Sequence, residues 1–331
     1  MEELNKPVDF KRWSLLASTD DEEPVQDFVR APEVNAETDN NFKHPNLSRN
    51  YRSESLSLMR IDDVVVSKSS NLTDFKLTVK ETGSHYVVEI EIIHAYIDNS
   101  IEELNDFNQL LYKIASVKNR MELKLDRDGM IVDVLNKGEL RDRWLAVKAE
   151  LQLDRKFLLF KPEERAIILK GGDDEYLMDF DLVGFLNKGY TIYGILFIGY
   201  WQDFQLKKTY PLKRKIKNST LFKDQLIPLD FEVKVKRNYM ETGVSELELQ
   251  GIEPEDLDTA GLKAMYEEIY PFAKVEFSDY SYDYEANYAI EQATGLIKKM
   301  NATVFEKAGS IEMFMDCTIK ELRDEKSDIT E

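Results

Sequence analysis

The feature that most constrains this chain is a pattern that occurs twice. Asp74-Phe75-Lys76-Leu77-Thr78-Val79-Lys80 runs into Glu81-Thr82-Gly83, and Asp230-Phe231-Glu232-Val233-Lys234-Val235-Lys236 runs, after a four-residue insertion, into Glu241-Thr242-Gly243. In each copy apolar and polar residues alternate with period two. That places the apolar set on one face of a β-strand, and the glycine supplies the turn that ends it.

The segments that succeed each copy are also alike. After the first, Tyr86, Val88, Ile90 and Ile92 alternate with polar neighbours in a further strand. Ser100 and Glu103 then stand at capping-box spacing before Leu104, Phe107, Leu111 and Ile114, a 3-4 period that predicts a helix laid on a sheet. Met121, Leu123 and Leu125, the turn Asp126-Arg127-Asp128-Gly129, and Met130, Val132 and Val134 predict a hairpin, and Lys137 to about Leu153 a second helix. After the second copy come a strand at Val244 to Leu249, a helix carrying Leu257, Met265 and Ile269, a strand from Tyr280 to Ile290, a turn at Gly295 and a returning strand. Recurring strand-helix-strand units predict a degenerate internal duplication, with Phe75 and Phe231 at equivalent inward positions.

The predicted class is therefore α+β, with antiparallel sheets crossed by helices and two pseudo-duplicated strand-helix-strand-hairpin units joined by a helical connector. Residues 1–48 hold four prolines and eleven acidic against five basic residues, with no sustained apolar period, and are expected to form a flexible acidic tail. The first unit is expected over 49–153, the connector with a buried strand over 154–202, the second unit over 203–323, and a polar tail over 324–331. Leu56, Leu58, Ile61 and Val64 to Val66 are assigned to one long first strand. In the connector, Lys161-Pro162-Glu163 predicts a helix start and Gly171-Gly172-Asp173 its stop, and Tyr190 to Trp201 a strand buried on both faces. Ile311, Met313, Met315, Cys317 and Ile319 alternate in a closing strand.

Composition narrows the function. With 63 acidic and 44 basic residues the formal charge is −19, so the whole-molecule field repels phosphate; general affinity for nucleic acid or anionic membrane is excluded, and any such contact has to be local. The N-terminus shows no basic segment followed by an apolar one, which predicts a cytoplasmic protein. The longest uncharged run, Gly189 to Gln202, falls short of the roughly 20 residues that span a membrane as a helix. Cys317 is the only cysteine, which excludes an internal disulfide and any two-cysteine redox or zinc motif, and predicts a small buried hydrophobe.

No catalytic residue, metal ligand or cofactor site is predicted. His44 lies in the tail, and His85 and His94 are nine residues apart on one strand, which predicts opposite faces. Asp126 to Gly129 resembles part of a calcium loop, but counting from Gly129 puts Lys124 and Leu135 where that loop needs carboxylates. Gly171-Gly172-Asp173-Asp174 lacks the Lys-Ser/Thr of a phosphate loop.

Two features point instead to a protein partner. Tyr280, Tyr282, Tyr284 and Tyr288 share one strand face, each offering an apolar body and a polar tip. Lys207, Lys208, Lys213, Arg214, Lys215 and Lys217 form a basic strip with no acid between Asp203 and Asp224, suited to an acidic partner or to the chain's own N-terminal segment. The predicted function is a non-enzymatic protein-interaction module, such as a chaperone, adaptor or immunity-type inhibitor. A carrier holding an apolar small molecule or lipid between sheet and helix stands second. An enzyme of unknown class stands third, because 63 acidic residues leave room for a carboxylate pair assembled by the fold.

Overall fold

The period-two segments fold as strands, and they join into a single sheet. The computed structural model describes residues 47–322 apart from 83, 100–101, 128, 190–191, 198–208, 213–214, 223–224, 240–241, 254–256 and 274–275. The first half comprises β1 (Leu47–Ile61), β2 (Val64–Glu81), β3 (Tyr86–Asn99), α1 (Glu102–Ala115), β4 (Arg120–Leu125), β5 (Ile131–Val134) and α2 (Lys137–Leu153). Three helices come next: α3 (Pro162–Leu177), α4 (Leu182–Lys188) and α5 (Ile192–Leu196). The remainder comprises β6 (Thr209–Pro211), β7 (Lys215–Asn218), β8 (Leu226–Tyr239), β9 (Val244–Ile252), α6 (Thr259–Ile269), β10 (Tyr280–Glu291), β11 (Ile297–Ala308) and β12 (Ile311–Glu321).

Every strand pairing is antiparallel, in the order β5-β4-β3-β2-β1-β12-β11-β10-β9-β8-β6, with β7 also on β8. The separate sheets expected for two units are thus one sheet, sewn together where β1 pairs with β12 from Tyr51↔Glu321 to Ile61↔Ile311. This arises from a turn the alternation did not reveal. Asp62 and Asp63 both adopt left-handed backbone, at φ 48° and 64°, so Val64 to Val66 do not prolong the first strand but begin β2 in a two-residue hairpin. The hairpin tip is tied to the neighbouring β11–β12 turn by Asp62 N–H donating to Ser310 O at 3.1 Å and Ser310 Oγ–H donating to Asp62 Oδ1 at 2.7 Å.

The strand-strand-helix-strand-strand order is the same in β2-β3-α1-β4-β5 and β8-β9-α6-β10-β11, and Phe75 and Phe231 are both buried. Phe75 stacks on Tyr51 across β1–β2 with ring centroids 5.4 Å apart, and Phe231 meets Tyr284 edge-on at 5.3 Å. Gly251 makes the second contact possible: a Cβ there would stand 2.9 Å from the Phe231 ring. The inward faces of both halves merge into one apolar core that also takes in Trp144, Leu151 and Phe157 of the helical layer.

The two ends of the meander meet at α4, which packs against both β5 and β7. Asn187 stands in for a further strand on the edge of β5, accepting from Ile131 N–H at 3.2 Å and donating to Ile131 O at 2.8 Å. From the other end, Lys217 of β7 donates to the carbonyls of Asn187 at 2.8 Å and Gly194 at 3.0 Å. Register shifts in several ladders, including β2–β3 and β8–β9, add local twist that helps the sheet curl this far.

Several expectations are corrected. Residues 192–196 are the helix α5, and Tyr193 to Phe197 are buried among other elements rather than paired in a sheet. A run apolar on every side reads alike as a buried strand or a buried helix. The helix begun at Pro162 passes through Gly171 and Gly172 to Leu177. His85 and His94 do not share a strand: His85 lies in the bend before β3, and His94, beyond the bulge at Ile93, pairs with Asp74 on the outer face. The predicted tails fall outside the described residues, except that Leu47 and Ser48 already belong to β1. Among the described residues no helix is long and apolar enough to cross a membrane.

Candidate binding surface

Most of the tyrosine face is turned to the core. Tyr282, Tyr284 and Tyr288 are buried on the inner face of β10, and Tyr280 is half-buried with its hydroxyl donating to Glu306 at 2.9 Å. Alternation correctly grouped the four rings, but it carries no information on which face of a strand the helices and loops will cover. Lys217 is likewise buried, its ammonium spent on the two carbonyls at α4 and α5. Tyr282, Tyr284, Tyr288 and Lys217 are thus turned to the core, and of the tyrosines only Tyr280 is partly exposed. Lys207, Lys208, Lys213 and Arg214 lie outside the described residues, and Lys215 opens β7.

The buried polar groups serve the scaffold. Glu306, fully buried on β11, accepts from Ser219 Oγ at 2.5 Å, Thr220 N at 2.6 Å, Thr220 Oγ1 at 2.5 Å and Leu221 N at 3.2 Å besides Tyr280. It pins the loop after β7 to the sheet. Glu253 sits near it: burial first, then the charges of Asp283 and Glu306, push its carboxyl up to about 7. Burial pushes the Cys317 thiol up to about 11, so it is no nucleophile at neutral pH. Among the described residues no group of three His, Cys, Asp or Glu is placed to hold a metal ion. A cleft of about 140 Å³ on the outer face, lined by Thr78, Lys80, Val87, Glu89, Arg120 and Glu122, is crossed by its own ion pairs, Arg120 to Glu89 at 2.6 Å and to Glu122 at 2.8 Å.

The helical layer offers a different surface. α2 buries Leu140, Trp144, Val147 and Leu151, the i, i+4, i+7, i+11 stripe of one face. α3 lies against it through Gly172, with Tyr176 5.8 Å from the Trp144 ring. Trp144 Nε1–H donates to Asp173 at 2.9 Å and Lys148 pairs with the same carboxylate at 2.6 Å, so Lys148 first and Trp144 second hold that carboxyl below its usual range.

α3 also leaves one large apolar side chain, Ile167, exposed on its far side, among Glu163, Lys170, Gly171 and Asp174. Ile167, Gly171 and Asp174 share the side away from Gly172, Met178 follows in extended backbone as the helix ends, and Ile167 and Met178 are 71% and 69% exposed. Asp174 is tied along the helix to Lys170 at 3.5 Å, leaving the side of the lane occupied by Gly171 low. The signal was present as Ile167-Ile168-Leu169, three successive apolar residues that cannot all face one side of a helix.

Compared with the models of known protein families and with curated proteins, the chain matches none.

Proposed function

We propose that the protein is a non-enzymatic interaction module of the chaperone, adaptor or inhibitor kind, and that a protein partner covers the outer face of α3. The observation that carries this is a pair of large apolar side chains left in solvent, Ile167 on the outer side of α3 and Met178 just past its end, at 71% and 69% exposure. Ile167 and Met178 supply two large apolar anchors, and Gly171, whose Cβ position is open, leaves low ground beside Ile167 over which a partner's backbone can approach closely. Lys207, Lys208, Lys213, Arg214 and Lys215 remain in the proposal as a second, basic contact for an acidic segment of that partner; Lys217 and the tyrosines leave it. The common strand-helix order and the paired roles of Phe75 and Phe231 support a duplicated unit as the scaffold's origin. The carrier reading draws less support, since Phe75, Leu77, Trp144 and Phe157 fill the space between sheet and helices that a ligand would need.

The test compares full-length protein with an Ile167→Glu, Met178→Glu variant as immobilised bait in host extract, with each retained protein quantified by mass spectrometry. A defined protein retained by the natural chain and lost with the variant is the expected result. Identical retention by both baits would refute the α3 site. Sedimentation velocity of the two purified proteins shows separately whether the lane is covered by a second copy.

A further inference from the structure

The outer face of the sheet is not uniformly open. One register row crosses it through Lys68, Leu58, Phe314, Phe305 and Asp283, on β2, β1, β12, β11 and β10 in turn. Its two ends, Lys68 and Asp283, are exposed, whereas Leu58 and Phe314 at its centre are 6% and 8% exposed and Phe305 is half-buried. The neighbouring rows are withdrawn from water as well. On one side Arg60 and Glu312 form an ion pair at 3.2 Å whose side chains are both largely hidden. On the other, Leu56 stands opposite Asp316, and burial pushes that carboxyl up.

The core does not account for this burial. Tyr51, Phe75 and Cys317 face inward, and Leu56, Leu58, Phe305 and Phe314, on the opposite side of the sheet, neither belong to the core nor pack against it. The buried apolar residues of α2, α4, α5 and α6 all belong to that core. Side chains stand roughly perpendicular to a sheet, so strand neighbours shield the flanks of a ring and leave its tip in water. The Phe314 ring is closed at its tip too, and among the described residues no helix turns a buried apolar side chain toward it.

The first 46 residues have the length, the attachment and the composition to be the cover. They join the sheet at Leu47, the first residue of β1, eleven positions from Leu58. Eleven strand residues at about 3.3 Å each measure about 36 Å, and 46 residues extend to about 150 Å, so the segment can turn back along β1 and cross the row. Its densest apolar stretch, Phe10-Lys11-Arg12-Trp13-Ser14-Leu15-Leu16, holds four large apolar residues in seven. The last residues, 323–331, hold one, Ile329. The internal stretch 198–208 is tethered at both ends, between α5 and β6, and β6 stands five strands from β12.

We infer that the N-terminal segment folds back over the outer face of β1, β12 and β11, its stretch from Phe10 to Leu16 resting on Leu58, Phe305 and Phe314. Attachment to β1 makes the contact intramolecular, so a few apolar contacts hold it without the entropic cost of association. The face is thus occupied by the chain itself, and it opens to another apolar segment only when the N-terminus is released.

The test places thiols on one outer register row of the full-length chain, Asp316→Cys under the cover and Glu285→Cys on the exposed side, with the natural chain and its inward Cys317 as blank. Maleimide should label the Glu285→Cys chain at least tenfold faster than the Asp316→Cys chain. Adding Phe10→Ser, Trp13→Ser, Leu15→Ser and Leu16→Ser should raise the Asp316→Cys rate at least tenfold and leave the Glu285→Cys rate and the circular dichroism unchanged. Approached from the sheet, Leu58→Asn with Phe305→Asn should speed hydrogen exchange at residues 10–16 at least tenfold. Equal labelling of the two thiols in the natural background overturns the inference. So does an Asp316→Cys rate indifferent to the N-terminal substitutions, which assigns the cover to 198–208, or one that rises on dilution, which assigns it to a second copy. Unchanged exchange at residues 10–16 in the sheet variant overturns it equally.

Discussion

Two adjacent glycines in α3 should respond to the same substitution with opposite signs. A Cβ on Gly172 would stand 2.1, 2.2 and 2.6 Å from Cζ2, Cη2 and Cε2 of Trp144, about 1.5 Å inside carbon–carbon contact. The ring cannot swing aside, since it is fully buried and its Nε1–H is held by Asp173 at 2.9 Å. Gly172→Ala therefore has to push α2 and α3 apart. Overpacking of this kind costs about 1–3 kcal/mol, and with three ring atoms within 2.6 Å the upper end applies; set against a gain of up to about 1 kcal/mol from alanine's helix propensity, a net loss of about 2 kcal/mol is expected. A Cβ on Gly171 meets nothing within 4 Å, and Gly171→Ala should stabilise by about 0.5–1 kcal/mol. Urea unfolding followed by circular dichroism would show the midpoint falling for one variant and rising for the other. If both midpoints move the same way, the helix does not run through the glycine pair as a close approach to Trp144, and the packing argument is wrong.

Truncating Phe75 or Phe231 to Ala should each cost about 3–5 kcal/mol in the same assay, because both rings are fully enclosed; a loss under about 1 kcal/mol for either would remove it from the core. Glu253 has its carboxyl raised from the usual 4.5 to about 7, so stability is present in full below pH 4.5 and is lost progressively as pH rises to 7, where ionisation in the folded state completes the penalty. Glu253→Gln should match the natural chain at about pH 4 and exceed it above pH 7, by on the order of 1 kcal/mol once solvent screening of this half-exposed group is allowed for, whereas a pH-independent difference would contradict the cause assigned. Asn187→Ala strips both bonds from Ile131, and hydrogen exchange should quicken in β5 before the neighbouring strands, with about 1–3 kcal/mol lost; unchanged protection there would mean that Asn187 does not close the sheet end.

Much of the framework was legible because period is a local property. The alternation at Phe75–Val79, Tyr86–Ile90 and Met121–Leu125 groups the apolar residues on one face, the face that is buried, and α2 starts and stops at the Lys137 and Leu153 read from the chain. The glycines at 129, 243 and 295, read as turn residues, all adopt positive φ. The candidate surface was far less legible. Lys217 is indistinguishable in composition from Lys215, yet only the arrival of α4 and α5 turns its ammonium into a buried bridge.

The sequence by itself therefore determined that the chain builds antiparallel strands crossed by helices, where most of them turn, and which side chains share a face, because these depend on residues two to four apart. Only the tertiary structure decided which face is covered, that β1 and β12 merge two strand runs into one sheet, and that α4 closes its ends. Those outcomes depend on contacts between residues as far apart as Tyr51 and Ile297, whose hydroxyl and carbonyl lie 2.9 Å apart across the core. The same physics decided the outer face of α3: Ile167 is an ordinary apolar residue in the chain, and it becomes a candidate contact only because Gly172 claims the inward side.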